Sequence, residues 1–329
     1  MVLLTALIRV LHAEFRAPVD IVTSGPWSAP LLRGQPGVGE IFSVRSRKTP
    51  YWMSIDQQRV VRQLRARGAG ATWFCDGDAA ARPLLERAGI PDQYIVSVQD
   101  HPLLPGEHAT QQWRRLAQIM PSGVTAARAD IDAVVPGCYL EVTQAQRSEL
   151  NTWLKTRGLA EQPLILVQIG NKRTMRRGLR RLAVNNKFWP NERWVEVLRY
   201  LRQRHPRHAL VLLGTGPEFQ LNQELASLTK LSGMHNVADD LPIPRLVSLL
   251  DRADGLVSVD SGPAHAAAAV GCPQVVLFGK ALPSLYRPWG TAGADVQLLT
   301  GSIDGEPSML GIEASSVIEA CSTLKLRGN

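Results

Sequence analysis

Short apolar runs alternate with longer amphipathic segments through most of this chain, and that rhythm constrains the fold more than any other feature. A strand covered on both faces reads as a continuous apolar run, and a crossover helix returns the chain to lay the next strand parallel to it. The alternation therefore specifies βαβ units around a parallel sheet, an α/β fold class. In the first part, 19–24, 40–44, 71–75 and 94–98 read as strands, with helical patterns at 56–67 and 79–88. A helix at 109–119, an irregular stretch through Pro136 and Gly137, and a helix opening near Thr143 follow. From Pro163 the rhythm resumes: strand 164–169, helix 192–204, strand 209–213, helices 217–230 and 243–251, strand 255–259, helix 263–270 and strand 274–278. This gives two doubly wound, Rossmann-like domains, 1–150 and 151–329, with the boundary region near 135–160.

The first domain starts unusually. The chain opens on an amphipathic helix with Leu4, Leu7, Ile8, Leu11 and Phe15 on one stripe, and that helix runs straight into a strand. The first strand of a doubly wound sheet is missing. That strand is usually central, so its absence exposes neighbouring strand edges and core surface.

Bulk properties narrow the function. Lys plus Arg number 37 against 29 Asp plus Glu, a net charge of +8 that favours acidic partners without choosing among nucleic acid, anionic membrane and phosphorylated small molecules. Cys75, Cys138, Cys272 and Cys321 are scattered, with no C-x-x-C pair and no His at zinc-ligand spacing. They read as reduced, buried thiols of a cytoplasmic protein, with neither a disulfide framework nor a structural metal. Residues 1–12 resemble a leader, but Arg9 interrupts the apolar run and no small-residue cleavage site follows, so export is not expected. No apolar stretch approaches the roughly 18–20 residues of a membrane span.

The chemistry is concentrated in 255–280, GLVSVDSGPAHAAAAVGCPQVVLFGK. Asp260 and Ser261 fall at the carboxyl end of a strand, Gly262 lets a ligand approach the backbone, and Pro263 suits a first helical turn. A helix N-terminus with a small polar lead-in accepts an anion such as a diphosphate. The competing reading is plainer: Ser261 or Asp260 only caps the helix, and His265 is satisfied within the fold. A nucleophilic serine is not favoured, because V-D-S-G-P is not the G-x-S-x-G elbow. A second stretch, 171–187, carries seven cations including Lys172, Arg173, Arg176, Arg177 and Lys187. It reads either as a solvated loop or as an arginine grip on phosphates in the cleft where open α/β sheets bind ligands. Without aromatic interleaving or a known module, nucleic acid is not the expected partner. Trp189 and Trp194 flank a helix start and should pack it. Trp52, in T-P-Y-W-M, reads as a packing residue or as a contact for a sugar.

The run D-S-G-P-A-H-A-A-A-A followed by G-C-P-Q-V-V-L-F-G resembles the donor-site signature of family nine glycosyltransferases, which include the lipopolysaccharide heptosyltransferases. K-F-W-P at 187–190 matches that family's K-x-W-P element, and G-T-G-P-E at 214–218 matches its small-residue turn with a carboxylate. The resemblance is good from about Leu164 to Gly290 and fainter before. It implies the GT-B architecture, two Rossmann-like domains facing a cleft, the first acceptor-side and the second donor-binding. It implies an inverting, metal-independent enzyme without a cofactor, whose donor is a nucleotide-sugar, plausibly ADP-heptose. The acceptor would be lipopolysaccharide core or a related anionic surface glycan, reached by peripheral contact with the inner face of the bacterial inner membrane. Asp260, Ser261, Gly262, Pro263 and His265 would line the diphosphate pocket, Lys187 would sit on the phosphates, and Glu218 would lie near the ribose. Lys172, Arg173, Arg176 and Arg177 would serve phosphate or acceptor. The family's general base, an Asp in a G-D pair, aligns immediately before Met1. That implies a true start upstream; otherwise Asp76 or Asp78 of C-D-G-D substitutes, or the chain is an inactive nucleotide-sugar-binding homologue.

Overall fold

Residues 1–125, 133–170 and 187–328 are described by the computed structural model. The chain divides into two units, Met1–Cys138 and Tyr139–Asn329.

In the first unit α1 (Thr5–Phe15), β1 (Val19–Thr23), α2 (Ser28–Leu32), β2 (Val38–Ser43), α3 (Ile55–Arg67), β3 (Thr72–Phe74), α4 (Arg82–Ala88), β4 (Ile95–Ser97) and α5 (Ala109–Ala117) follow in order. Among the described residues, β1 pairs with β2 and β3 with β4, both in parallel, as separate two-stranded sheets. Side chains bridge what backbone bonds do not. Leu7, Val10 and Leu11 of α1 pack with Leu116 and Ala117 of α5, Val96 of β4, and half-buried Val19 of β1 and Trp73 of β3. A second cluster joins Phe42 of β2 and Phe74 of β3 to Val60 and Val61 of α3 and Leu84, Leu85 and Ala88 of α4. Val22 on β1, in this two-stranded sheet, stays 42% exposed.

The second unit comprises α6 (Gln144–Thr156), β5 (Leu164–Gln168), α7 (Asn191–Arg204), β6 (Ala209–Leu212), α8 (Phe219–Thr229), β7 (Met234–Asn236), α9 (Ile243–Arg252), β8 (Gly255–Val259), α10 (Gly262–Ala269), β9 (Gln274–Phe278), α11 (Pro283–Tyr286), β10 (Val296–Thr300), a small hairpin β11 (Ser302–Ile303) with β12 (Glu306–Pro307), and α12 (Ala314–Thr323). The strand order is β10-β9-β8-β5-β6-β7, with every neighbouring pair parallel. Every residue of β5, β6, β8 and β9 is buried. That explains their apolar runs: a strand covered by helices on both faces has no solvent side. Trp189 and Trp194 pack as expected, 1% and 0% exposed. Their rings meet edge to face at 4.9 Å, and the Trp189 indole N–H donates to the Ile312 carbonyl at 2.9 Å. All four cysteines are free; burial pushes the Cys75, Cys272 and Cys321 thiols up to about 12 and Cys138 up to about 11.

A division at 150 would cut α6, whereas the chain divides between Cys138 and Tyr139. The physical reason is the seam between α6 and α9. Arg147 pairs with Asp251 at 2.9 Å and Arg245 with Glu149 at 2.6 Å. Trp153 donates to the Asp240 carboxylate at 2.7 Å, and the guanidinium groups of Arg157 and Arg245 lie 4.7 and 5.1 Å from its ring. Those donors also hold the Asp240 carboxyl below its usual range, the Trp153 N–H most of all. Trp153, 7% exposed, anchors the seam. Trp153→Ala should cost about 3–5 kcal/mol, the range for truncating a buried aromatic, read as a lower urea midpoint with unchanged slope.

Candidate functional site

Strand order determines where this sheet can bind. From β5 the chain winds one way through β6 and β7, then returns to add β8, β9 and β10 on the other side. Loops leaving the carboxyl ends of β5 and β8 therefore diverge and leave a crevice at that end of the sheet. Most of the second unit's expected site residues gather there.

Buried polar groups mark the spot. Gln168 ends β5 at 4% exposed; Ser258 on β8 is fully buried and its hydroxyl lies 2.9 Å from that of Ser261. Asp260, 7% exposed, follows β8, with Lys187 Nζ 2.6 Å from its carboxylate and donating to its carbonyl oxygen at 2.9 Å. The side chain that the sequence assigns to phosphate is thus held at the switch point by an acid 73 positions away in the chain. Removing one partner strands the other in a poorly solvated place, a loss of about 3–5 kcal/mol where such pairs are fully buried.

The capping alternative for Ser261 does not hold. Ser261 occupies the N-cap position of α10, yet its side chain makes no capping bond. Its hydroxyl is turned to Ser258, so the first-turn amides of α10 are left to other acceptors. Gly262 is exposed, and a Cβ added to it would meet nothing within 4 Å. The body of α10 is slim and buried: Ala264, Ala267 and Ala268 are wholly shielded, and Gln274 donates to the Ala264 carbonyl at 2.9 Å. Pro263 and His265 are half-buried in the first turn.

Glu218 lies beyond the neighbouring strand β6, at the end of the single turn Gly216–Glu218, and is only 3% exposed. Its carboxylate accepts from the Thr215 amide at 2.9 Å and the Thr215 hydroxyl at 2.7 Å, and from Gln168 at 3.3 Å. Burial raises its pKa, and these bonds oppose the rise. Gly170 is required here for close approach, since a Cβ on it would stand 2.8 Å from Glu218 Oε1. Gln168 also donates to the Gly170 carbonyl at 2.8 Å, so this one amide fixes both the turn after β5 and the buried acid. Sequence reasoning missed Gln168; the available signal was a polar residue closing the apolar run LILVQ.

Lys172, Arg173, Arg176 and Arg177 lie outside the described residues. In the first unit, Asp76 pairs with Arg47 and accepts from the Asp78 amide at 3.1 Å, while Asp78 accepts from the Ala80 amide at 3.1 Å. Both carboxylates hold local turns. Trp52 does not pack as a core residue: it is 77% exposed. Among the described residues, no group of three or more His, Cys, Asp or Glu could hold a metal ion.

Gly262 offers a test that separates binding from folding. Gly262→Ala should leave stability unchanged or raise it by up to about 1 kcal/mol, because its Cβ meets no protein atom and the unfolded chain loses freedom. The same methyl group stands where a diphosphate would meet the α10 amides, so ADP affinity measured by calorimetry should fall about tenfold or more.

Comparison with known proteins agrees with this geometry. The model of glycosyltransferase family 9 (heptosyltransferase) matches residues 96–301, more than half of the chain. Lipopolysaccharide heptosyltransferase 3 of Escherichia coli is 34% identical over 106 residues, which are 31% of this chain and 30% of that protein. The chain thus spans under a third of the length of that curated relative. Lipopolysaccharide heptosyltransferase 2 of Salmonella typhimurium is 22% identical over 319 residues, covering 92% of this chain and 85% of that protein. The solved structure of E. coli ADP-heptose lps heptosyltransferase II shares the fold, with a TM-score of 0.70 at 19% identity, over 98% of this chain and 94% of that one. With its three motifs in order and the family model matched over more than half of its length, the chain belongs to glycosyltransferase family 9, the heptosyltransferase family.

Proposed function

We propose that this protein is an inverting, metal-independent glycosyltransferase that moves a sugar, heptose from an ADP-linked donor, onto lipopolysaccharide core or a related surface glycan. The observation that supports this best is the convergence of Lys187, Asp260 and the uncapped start of α10 at the β5–β8 switch point. The relatives, lipopolysaccharide heptosyltransferases and an ADP-heptose heptosyltransferase, support the choice of donor and acceptor.

In this reading the second unit binds the donor. Lys187 and the α10 amides of Gly262 and Ala264 meet the diphosphate, with Asp260 orienting Lys187 and with Ser261, Pro263 and His265 lining the turn. Glu218 shapes the wall beside the ribose from its buried position. Lys172, Arg173, Arg176 and Arg177 take phosphate or acceptor charge. An acceptor hydroxyl oxygen attacks the anomeric carbon from the face opposite the diphosphate; the new C–O bond forms as the bond to the diphosphate oxygen breaks, and the configuration inverts. The hydroxyl proton passes to a general base other than Asp76 and Asp78, whose carboxylates are engaged in local turns. Charge accumulates on the departing diphosphate, where a fixed ammonium and a helix start worth roughly half a unit charge stabilise it without a metal or cofactor. The enzyme works in the cytoplasm against the inner face of the membrane; among the described residues no helix is long and apolar enough to cross it.

The test is transfer itself. Incubated with ADP-heptose and a heptose-deficient lipopolysaccharide acceptor, the protein should release ADP only when acceptor is present. It should keep that rate in EDTA and give a product of inverted anomeric configuration by NMR. Saturable ADP binding with no acceptor-dependent release would instead make it a nucleotide-sugar-binding protein without turnover.

A further inference from the structure

The first unit carries a feature that donor binding does not use. Trp52 is 77% exposed, Met53 59% and Ile55 75%, three large apolar side chains within four positions. Single exposed apolar residues are ordinary on protein surfaces, but a contiguous group marks a surface that meets something else.

The chain invests buried polar bonds in holding them out. Gln57 on α3, 4% exposed, donates through its amide to the Ser46 carbonyl at 2.9 Å and the Thr49 carbonyl at 2.8 Å. Gln58 donates to the carbonyls of Tyr51 and Trp52, each at 3.1 Å. The Ser54 hydroxyl caps α3 by accepting from the Gln57 amide. Below, the Arg87 guanidinium lies 4.8 Å from the Tyr51 ring. The single turn Tyr51–Met53 is thereby fixed to α3 as a rigid projection, and its apolar side chains are presented at little further cost in entropy.

Charge around the projection is one-sided. From 45 to 62 the chain has five cations, Arg45, Arg47, Lys48, Arg59 and Arg62, against Asp56 alone. Asp56 contacts Arg45 at 3.5 Å and Arg59 at 3.1 Å, Arg47 pairs with Asp76, and the Arg45 side chain is 94% exposed. Exposed tryptophan, methionine and isoleucine in a segment rich in arginine and lysine suit one environment above others. The indole favours the headgroup level of a bilayer, the aliphatic chains favour the acyl boundary, and the cations favour anionic headgroups.

We propose that segment 45–62 is a docking surface for an anionic lipid bilayer, with Trp52, Met53 and Ile55 entering the interface and the surrounding cations resting on phosphate headgroups. The proposal deepens the peripheral membrane contact in the functional reading, yet it stands on residues of the first unit, so lipid binding and ADP binding can fail separately.

The experiment is cosedimentation of the full chain with phosphatidylethanolamine vesicles, with and without phosphatidylglycerol, using vesicles with brominated acyl chains for fluorescence. The chain should bind only the phosphatidylglycerol vesicles and lose binding as salt shortens the screening length below about 10 Å. The double variant Trp52→Ser with Ile55→Ser should bind them at least about tenfold more weakly while keeping its melting temperature and ADP affinity. Brominated chains should quench tryptophan fluorescence in the native protein and much less in Trp52→Phe. Absence of vesicle binding overturns the proposal, as does a double variant that binds like the native chain, which would mean adsorption by charge alone or a surface meant for a protein or soluble glycan. Quenching that Trp52→Phe leaves unchanged would place the inserted residue elsewhere and overturn it equally.

Discussion

The reversal of winding at β5 and β8 is the constraint on which the rest of the second unit depends. The neighbouring strands β5 and β8 lead on to opposite sides of the sheet, the arrangement that opens a crevice at the carboxyl ends of an α/β sheet. Everything chemically distinctive follows from occupying that gap: Gln168 and Gly170 leave β5, Asp260 and Ser261 leave β8, and Lys187 is tied across to Asp260. Beneath them, strands buried on both faces give a rigid floor, which lets side chains at their ends be held in place by packing rather than by a bound ligand.

Polar burial at that end of the sheet carries a desolvation cost that internal hydrogen bonds offset. A polar group withdrawn from water must be bonded within the protein, and Gln168, Ser258 and Glu218 are. Ser261 is bonded as well, but not as a cap. Ser261 gives its hydroxyl to Ser258 and leaves the start of α10 uncapped beside an exposed Gly262. A helix start that Ser261 does not cap, next to an ammonium held by a buried acid, is the arrangement on which the proposed diphosphate site rests.

The second unit was legible in the sequence because its signal is strongest where burial is two-sided: β8 and β9 match their apolar runs residue for residue. β7 escaped because Met234–Asn236 is three half-buried residues with no apolar run, and β10 because it is half-covered at the sheet edge. Site residues were readable as a motif, but the pairing of Lys187 with Asp260 was not, since only the fold brings them together. In the first unit the clusters in which side chains of α1, α3, α4 and α5 join the two small sheets were not legible, since only the fold brings those elements together. Trp52 could not be placed, because an aromatic among polar neighbours reads the same whether it packs or projects.

Hydrogen exchange with and without saturating ADP tests the switch-point site most directly, because it reports each loop by its own amides. If the β5–β8 crevice binds the diphosphate, protection should concentrate in the Gly262–Ala266 turn and in Gly214–Glu218, with the core of the sheet and the first unit's strands unchanged. Protection that bypasses both turns while ADP is demonstrably bound would contradict the assignment and move the site elsewhere.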